Sequence, residues 1–244
     1  MRLLLAADIH YNLRQMAWLE AEAGHYDAVI LAGDLLDVTG HTPLAKQRRT
    51  IQEALRLIAA RAPLLVASGN HDVDDDGEAT WLHEVAGHHL FVDGHTVAWN
   101  GVAVTLWPWR GSETAPLPQG AAHNLPGLTR IWVHHAPPAG LRIGCGARGQ
   151  AAGVSAALAD KIRRHRPQLV VSGHIHDAPF RAEGSWWDRL GDTVCLNPGR
   201  EHGHEPSCIV VDFDAGELEW LSASVREHRP LPAPATAPAV AGVA

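Results

Sequence analysis

Excess positive charge is missing from this sequence, and so are a disulfide framework and a long apolar run. Lys and Arg number 20 against 27 Asp and Glu, giving a formal net charge of -7 with histidine neutral, and only 19% of residues are charged. That balance offers no broad basic face to a nucleic-acid polymer, while leaving a small phosphate ester within reach. The three cysteines, Cys145, Cys195 and Cys208, include no CxxC pair, so a reducing, cytoplasmic setting is expected. The leading apolar run, Leu3 to Ala7, is too short for a signal peptide or a membrane span and reads as a first strand. Glycines recur from Gly140 to Gly153, but no Lys-Ser or Lys-Thr follows Gly149 to close a phosphate-binding loop.

What is present is a chain of 244 residues with 46% hydrophobic content, enough for one full core. Short continuous apolar runs at Leu3–Ala7, Ala28–Ala32, Leu64–Ala67, Thr129–Val133 and Leu169–Ser172 predict buried strands of a sheet covered by helices. Helices are predicted over Leu13–Ala23, with Asn12 as N-cap and Gly24 as stop, from Pro43 to about Ala60, and from about Val154 to His165. Strands at His89–Val92, Thr96–Trp99 and Val102–Leu106, with a turn at Asn100-Gly101, predict an antiparallel region or a change of sheet. Thr193–Leu196, Ser207–Val211 and Glu217–Leu221 complete a strand-rich end. Residues 1–229 read as one α/β domain, and 230–244, rich in Ala and Pro, as a loose tail.

Unusual polar clusters follow the apolar runs. They are Asp8-Ile9-His10, Gly33-Asp34, Gly69-Asn70-His71-Asp72, His134-His135 and Gly173-His174-Ile175-His176. Ligands gather at the carboxyl ends of strands in such sheets. Read as extended backbone, Asp8 and His10 share a face, as do His174 and His176. Asp34 offers two oxygens with which to bridge two metals, Asn70 a neutral carbonyl oxygen, and His134, His174 and His176 imidazole nitrogens. A mixed oxygen and nitrogen shell suits Mn, Fe or Zn better than Mg or Ca. Two such metals, roughly 3.5–4 Å apart, would activate a hydroxide held between them and clamp a phosphate. His71 is the candidate acid for the leaving oxygen, with Asp37, or Asp72 in its place, as the carboxylate that orients it. The acidic stretch Asp72 to Glu78 reads as a solvated loop face. His135 is expected only to hydrogen-bond behind the ligands.

The ordered series Asp8-x-His10, Gly33-Asp34-x-x-Asp37, Gly69-Asn70-His71-Asp72, His134-His135 and Gly173-His174-x-His176 resembles the calcineurin-like metallophosphoesterase superfamily over roughly residues 1 to 200. The resemblance implies a four-layer α/β/β/α sandwich with a dinuclear metal centre. It implies Asp8, His10, Asp34 and His176 around one metal, and Asp34, Asn70, His134 and His174 around the other. It also implies His71 as the catalytic histidine and Asp37 as the aspartate of the second motif. Asn197-Pro198-Gly199-Arg200 resembles a family turn in which Arg200 stands where serine is usual, placing a cation near substrate. The expected activity is hydrolysis of a small phosphodiester such as a cyclic or other nucleotide, with Asn70, His71 and Arg200 touching substrate. A phosphomonoesterase and a noncatalytic metal-containing binding module are the alternatives. Arg110, Arg142 and Arg148 are further candidate phosphate contacts, and Trp107, Trp109, Trp186 and Trp187 a candidate aromatic wall, with ordinary packing as the competing account.

Overall fold

The computed structural model describes residues 1–109, 127–146, 149–150 and 153–232. In chain order the elements are β1 (Arg2–Ala6), α1 (Leu13–Ala23), β2 (Ala28–Ala32), α2 (Leu44–Ala59), β3 (Leu64–Ala67), α3 (Thr80–His83), β4 (Leu90–Phe91), β5 (Thr96–Trp99), β6 (Val102–Leu106), β7 (Thr129–Val133), β8 (Cys145–Gly146), β9 (Gly149–Gln150), α4 (Ala156–His165), β10 (Leu169–Val171), β11 (Trp187–Leu190), β12 (Thr193–Leu196), β13 (Cys208–Asp212), β14 (Glu217–Leu221) and β15 (Arg226–Pro230). Among the described residues one sheet runs β15-β14-β13-β1-β2-β3-β4 and a second runs β11-β12-β10-β7-β6-β5.

The alternation of β1 shows why its run must be apolar throughout. Leu3, Leu5 and Ala7 pack between the two sheets, while Leu4 and Ala6 pack under the helices. Both faces are dry, so no polar position is tolerated. Met16 and Leu19 of α1 and Ile51, Leu55 and Ile58 of α2 cover the outer face of the first sheet. Leu158 and Ile162 of α4 cover Val170, Cys195, Trp107 and Trp132 on the second. The result is the four-layer α/β/β/α order. Each fully buried Leu or Ile contributes about 1.5–3 kcal/mol. A charge at Leu5, which is 0% exposed, would break the inter-sheet layer.

Local signals agree with these elements. Asn12 Oδ1 accepts from the backbone N–H groups of Arg14 and Gln15, so it caps α1 as expected, and Gly24 ends it. Asn100 and Gly101, with φ of 46° and 85°, form the turn between antiparallel β5 and β6. β4 closes the first sheet and β5 opens the second, so the chain changes sheet there. Besides the two-residue pair β8 and β9, two strands lack a sequence signal, β11 and β15. Both are edge strands with mostly part-exposed residues, so neither requires an apolar run. β15 extends to Pro230, and residues 233–244 of the expected tail lie outside the described residues. No helix among the described residues is long and apolar enough to cross a membrane.

Candidate metal centre

Five strand tips deliver the polar clusters to one place, and they do so on turned rather than extended backbone. Asp8, His10, Tyr11, Asp34 and His174 have φ of 56°, 44°, 58°, 57° and 67°. The expectation that Asp8 and His10, or His174 and His176, share a face of a straight segment is therefore corrected. β1 ends at Ala6 and β10 at Val171, and the chain coils beyond each. The left-handed region costs little for Asp and His relative to branched residues, yet such a concentration marks a functional site. The tips are laced by backbone hydrogen bonds, from Asp8 N–H to Gly33 carbonyl (3.0 Å), His10 N–H to Asp34 carbonyl (2.9 Å) and Gly173 N–H to His135 carbonyl (2.9 Å). Gly69 passes so near Asp34 that a Cβ there would lie 2.2 Å from Oδ1, so no larger residue fits.

Beneath this lacing lies Asp72, which is 0% exposed. Its carboxylate accepts from the backbone N–H groups of Leu35 (2.9 Å), Leu36 (3.0 Å) and Gly69 (2.9 Å). Burial, then the neighbouring Asp34 charge, push its pKa up to about 7 against those hydrogen bonds. Asp72 is thus neither a solvated loop residue nor a partner of His71. It ties the tip of β2 to the tip of β3.

Three groups of side chains bring potential ligand atoms within 4.8 Å of one another: Asp8, His10, Asp34 and His176; Asp34, His135 and His174; and His10, Asp37 and His71. In the first, His10 Nε2 lies 3.9 Å from Asp8 Oδ1 and 3.5 Å from Asp34 Oδ2, and His176 Nε2 lies 3.2 Å from Asp8 Oδ1. In the second, His135 Nε2 lies 3.1 Å from Asp34 Oδ2 and 3.8 Å from Asp8 Oδ1. Donors about 2.0–2.2 Å from one ion fall at such separations. Burial lowers the pKa of His10 and His174 to about 4, against the pull of the Asp8 and Asp34 carboxylates. Both imidazoles are therefore neutral at pH 7, the state a metal requires.

Two orphaned atoms fit the same group. Asn70 Oδ1 and His135 Nε2 are buried side-chain atoms without a well-aligned hydrogen bond, His135 Nε2 having the Asp34 carboxylate at 3.1 Å. An unmade hydrogen bond at a buried polar atom is costly, and a cation supplies the missing partner. His135 Nδ1 donates to the Ala32 carbonyl at 2.6 Å, which leaves Nε2 to face Asp34. Burial disfavours a charged His135, but Asp34 and then Asp8 outweigh it and hold its pKa up at about 9. A cation bound here would take that proton's place.

His134 is placed differently from the sequence reading. It lies outside all three groups, and its Nδ1 donates to the Ala136 carbonyl at 2.8 Å. His135, expected only to stand behind the ligands, occupies the ligand position. Both histidines lie beyond the end of β7, so strand alternation does not decide between them. His71 Nδ1 accepts the Val38 N–H at 3.3 Å, and its Nε2 lies 4.0 Å from Asp34 Oδ2. Val38, not Asp37, thus orients His71. Asp37 Oδ1 is taken by the Thr39 hydroxyl (2.7 Å) and N–H (2.9 Å), which lower its pKa.

Arg200 is partly buried, on the turn tied to His176, and the Asp8, Asp37 and Asp34 charges are near enough to favour its charged form against burial. Its N–H donates to the His176 carbonyl at 3.0 Å, fixing the turn that holds it. Arg142 is spent elsewhere, donating to the Glu183, Ala182 and Gly184 carbonyls. Arg110 and Arg148 lie outside the described residues. Of the four candidate wall tryptophans, Trp107 packs on Trp132 in the core, Trp186 stacks on Trp220, and Trp187 lies beneath Arg229. Trp109 alone of the four rings contacts the centre, 5.3 Å from His174 and 5.5 Å from His135.

A double-sheet sandwich with clustered Asp, His and Asn at converging strand tips defines the scaffold of a metal-dependent phosphoesterase. The chain belongs to the calcineurin-like phosphoesterase superfamily, whose domain model matches residues 1–216. Among solved structures, TT1561 of Thermus thermophilus is similar at 17% identity and a TM-score of 0.58, covering 95% of this chain and 99% of that one. A novel archaeal phosphodiesterase is similar at 14% identity and a TM-score of 0.51, with 91% and 99% covered. The purple acid phosphatase PPD1 of yellow lupin is similar at 15% identity and a TM-score of 0.56, with 94% of this chain but 51% of that one covered. At such identities these likenesses describe the fold. No curated protein matches the chain.

Proposed function

We propose that the chain is a dinuclear metal-dependent phosphoesterase that prefers a small phosphodiester. The observation carrying this reading is that Asp34 belongs to two ligand groups at once, with the orphaned Asn70 Oδ1 beside the loop that packs on it. Asp8, His10, Asp34 and His176 would hold one metal, and Asp34, Asn70, His135 and His174 the other. The mixed donor set suits Mn, Fe or Zn. When bound, the pair supplies Lewis acidity, lowering the pKa of water and neutralising phosphate oxygens.

The chain's own residues supply the rest. Arg200 offers a guanidinium to a phosphate oxygen from a turn locked to the His176 backbone. His71, with Nδ1 accepting from Val38, keeps its proton on Nε2, the nitrogen turned toward Asp34. From there it offers a hydrogen bond to the leaving oxygen, steadying the negative charge that develops on it. Asp37 is grouped with His10 and His71 on the same side of the site. A diester carries one negative charge and a monoester two. Among the described residues Arg200 is the cationic side chain placed at the centre, which suits the smaller charge. Monoester hydrolysis at the same residues is the second reading, favoured by the fold shared with a purple acid phosphatase. The three free cysteines fit a reducing cytoplasm.

The test is turnover of an aryl diester and an aryl monoester by manganese-loaded wild type and Asp34→Asn. The expected result is diester hydrolysis by wild type, lowered on the order of 10³-fold in the variant. Absence of turnover with every transition metal would favour a noncatalytic binding module.

A further inference from the structure

Trp109 is held at the centre by a scaffold of its own. Its backbone N–H donates to Ser68 Oγ at 3.0 Å, and the Ser68 N–H donates to Asp93 Oδ1 at 2.8 Å. Ser68 and Asp93 are buried, at 0% and 6% exposure. Ser68 directly precedes Gly69-Asn70, so the anchor that sets Trp109 is also the foot of the Asn70 loop. Pro108, just before it, fixes φ and stiffens the approach. The indole is partly exposed and lies 5.3 Å from the His174 ring and 5.5 Å from the His135 ring, and it stacks at 6.5 Å on His134.

Three of the buried tryptophan side chains are tied down by their indole N–H groups. Trp81 Nε1 donates to the Asp72 carbonyl, Trp186 Nε1 to Glu227 and Trp220 Nε1 to the Pro198 carbonyl. Trp109 instead presents a rigid flat ring beside the Asp34, His135 and His174 group. Arg200 stands among Asp8, Asp37 and Asp34, on the side of the other group. The site is therefore lopsided, cationic on one flank and aromatic on the other.

We propose that Trp109 determines specificity by stacking on a nucleobase carried by the phosphate ester, making nucleotides the substrate class of this centre. The proposal rests on the phosphoesterase reading above. A base offers a π-face of the right kind whatever its identity. Arg200 then engages the phosphate, and the indole the base, across the width of the site. A packing role alone would shield the histidines without distinguishing esters that share a leaving group.

The experiment compares substrates with the same leaving oxygen. Adenosine 3′,5′-cyclic phosphate is paired with the base-free methyl riboside 3′,5′-cyclic phosphate, and adenosine 5′-monophosphate with ribose 5-phosphate. For manganese-loaded wild type, kcat/KM should favour the base-bearing member of each pair. In Trp109→Leu that ratio should fall about ten-fold or more, while Trp109→Phe should keep most of it. An unchanged ratio in Trp109→Leu, or a wild type with no base preference, overturns the proposal. Calorimetric binding of adenosine 5′-monophosphate and ribose 5-phosphate separates this from the hydrolytic reading. Preference in binding that Trp109→Leu removes, without turnover, supports the role of Trp109 and sinks hydrolysis alone. Turnover without preference in either assay sinks the role of Trp109 alone.

Discussion

The two ligand groups that meet at Asp34 are built differently. The group with Asp8, His10 and His176 is the open one, since the His176 side chain is 37% exposed and Arg200 stands over it. The group with His135 and His174 is the closed one in the sense that an indole walls it, although His174, like His176, is partly exposed. His135 is 0% exposed, and Trp109 lies against both rings. Closure has an electrostatic consequence. The Asp34 and Asp8 charges favour the charged form of His135 in the closed half. In the open half burial disfavours a charged His10, and Arg200 is the nearby cation. One carboxylate thus serves a site walled by an indole and a site attended by a guanidinium.

The sharpest way to break that contrast is at the adjacent histidines. His135→Ala should remove one of two bound manganese ions and lower turnover by about 10²-fold or more, while His134→Ala should keep both ions. Elemental analysis of purified, manganese-reconstituted protein reads this directly. If His134→Ala loses the ion and His135→Ala does not, the closed half has been assigned to the wrong side chain. In the open half, Arg200→Ala should raise KM about ten-fold with little change in metal content, measured by steady-state kinetics and the same metal analysis. A loss of metal instead would show that the guanidinium braces ligands.

The smallest effect tests the footing of the closed half. Burial raises the Asp93 carboxyl to a pKa of about 7, partly countered by the Ser68 hydrogen bonds. The native state then holds a proton that the unfolded chain has released between about pH 4 and pH 7. Stability should accordingly be fullest below that window, decline as pH rises through it and level off above. The total change is a few kcal/mol at most. Asp93→Asn keeps an acceptor for the Ser68 N–H and should flatten the slope in urea titrations across that range. A slope unchanged by the substitution would mean that other groups carry it.

Most of the sandwich could be read from the chain because its buried strands need apolar side chains on both faces, as Leu3 to Ala6 and Ala28 to Ala32 show. Edge strands β11 and β15 escaped because a strand with one neighbour and a wet face has no such need. At the centre, residue types were legible while backbone shape was not. The left-handed turns at Asp8, His10 and His174 arise from loops crossing one another, and spacing along a chain does not encode crossings. The same holds for His134 and His135, whose chemistry is identical and whose placement is set by the loop beyond β7. Asp72 and Asn70 mark the other limit. Both stand in one short polar stretch, yet one is buried under three backbone donors and the other ends with an oxygen that no donor reaches.

The placement of β1 bears on how the molecule is made. Its neighbours are β2, paired at Leu3↔Ala28, and β13, paired at Leu3↔Val211. The first partner follows closely along the chain, while the second becomes available only once Cys208–Asp212 has been made. Until then one long side of the opening strand has no hydrogen-bonding mate, and the loop bearing Arg200 has not been tethered. Such distant pairing slows folding. A chain cut short of Cys208 should accordingly leave that side of β1 unpaired and fold less stably, as urea unfolding would read.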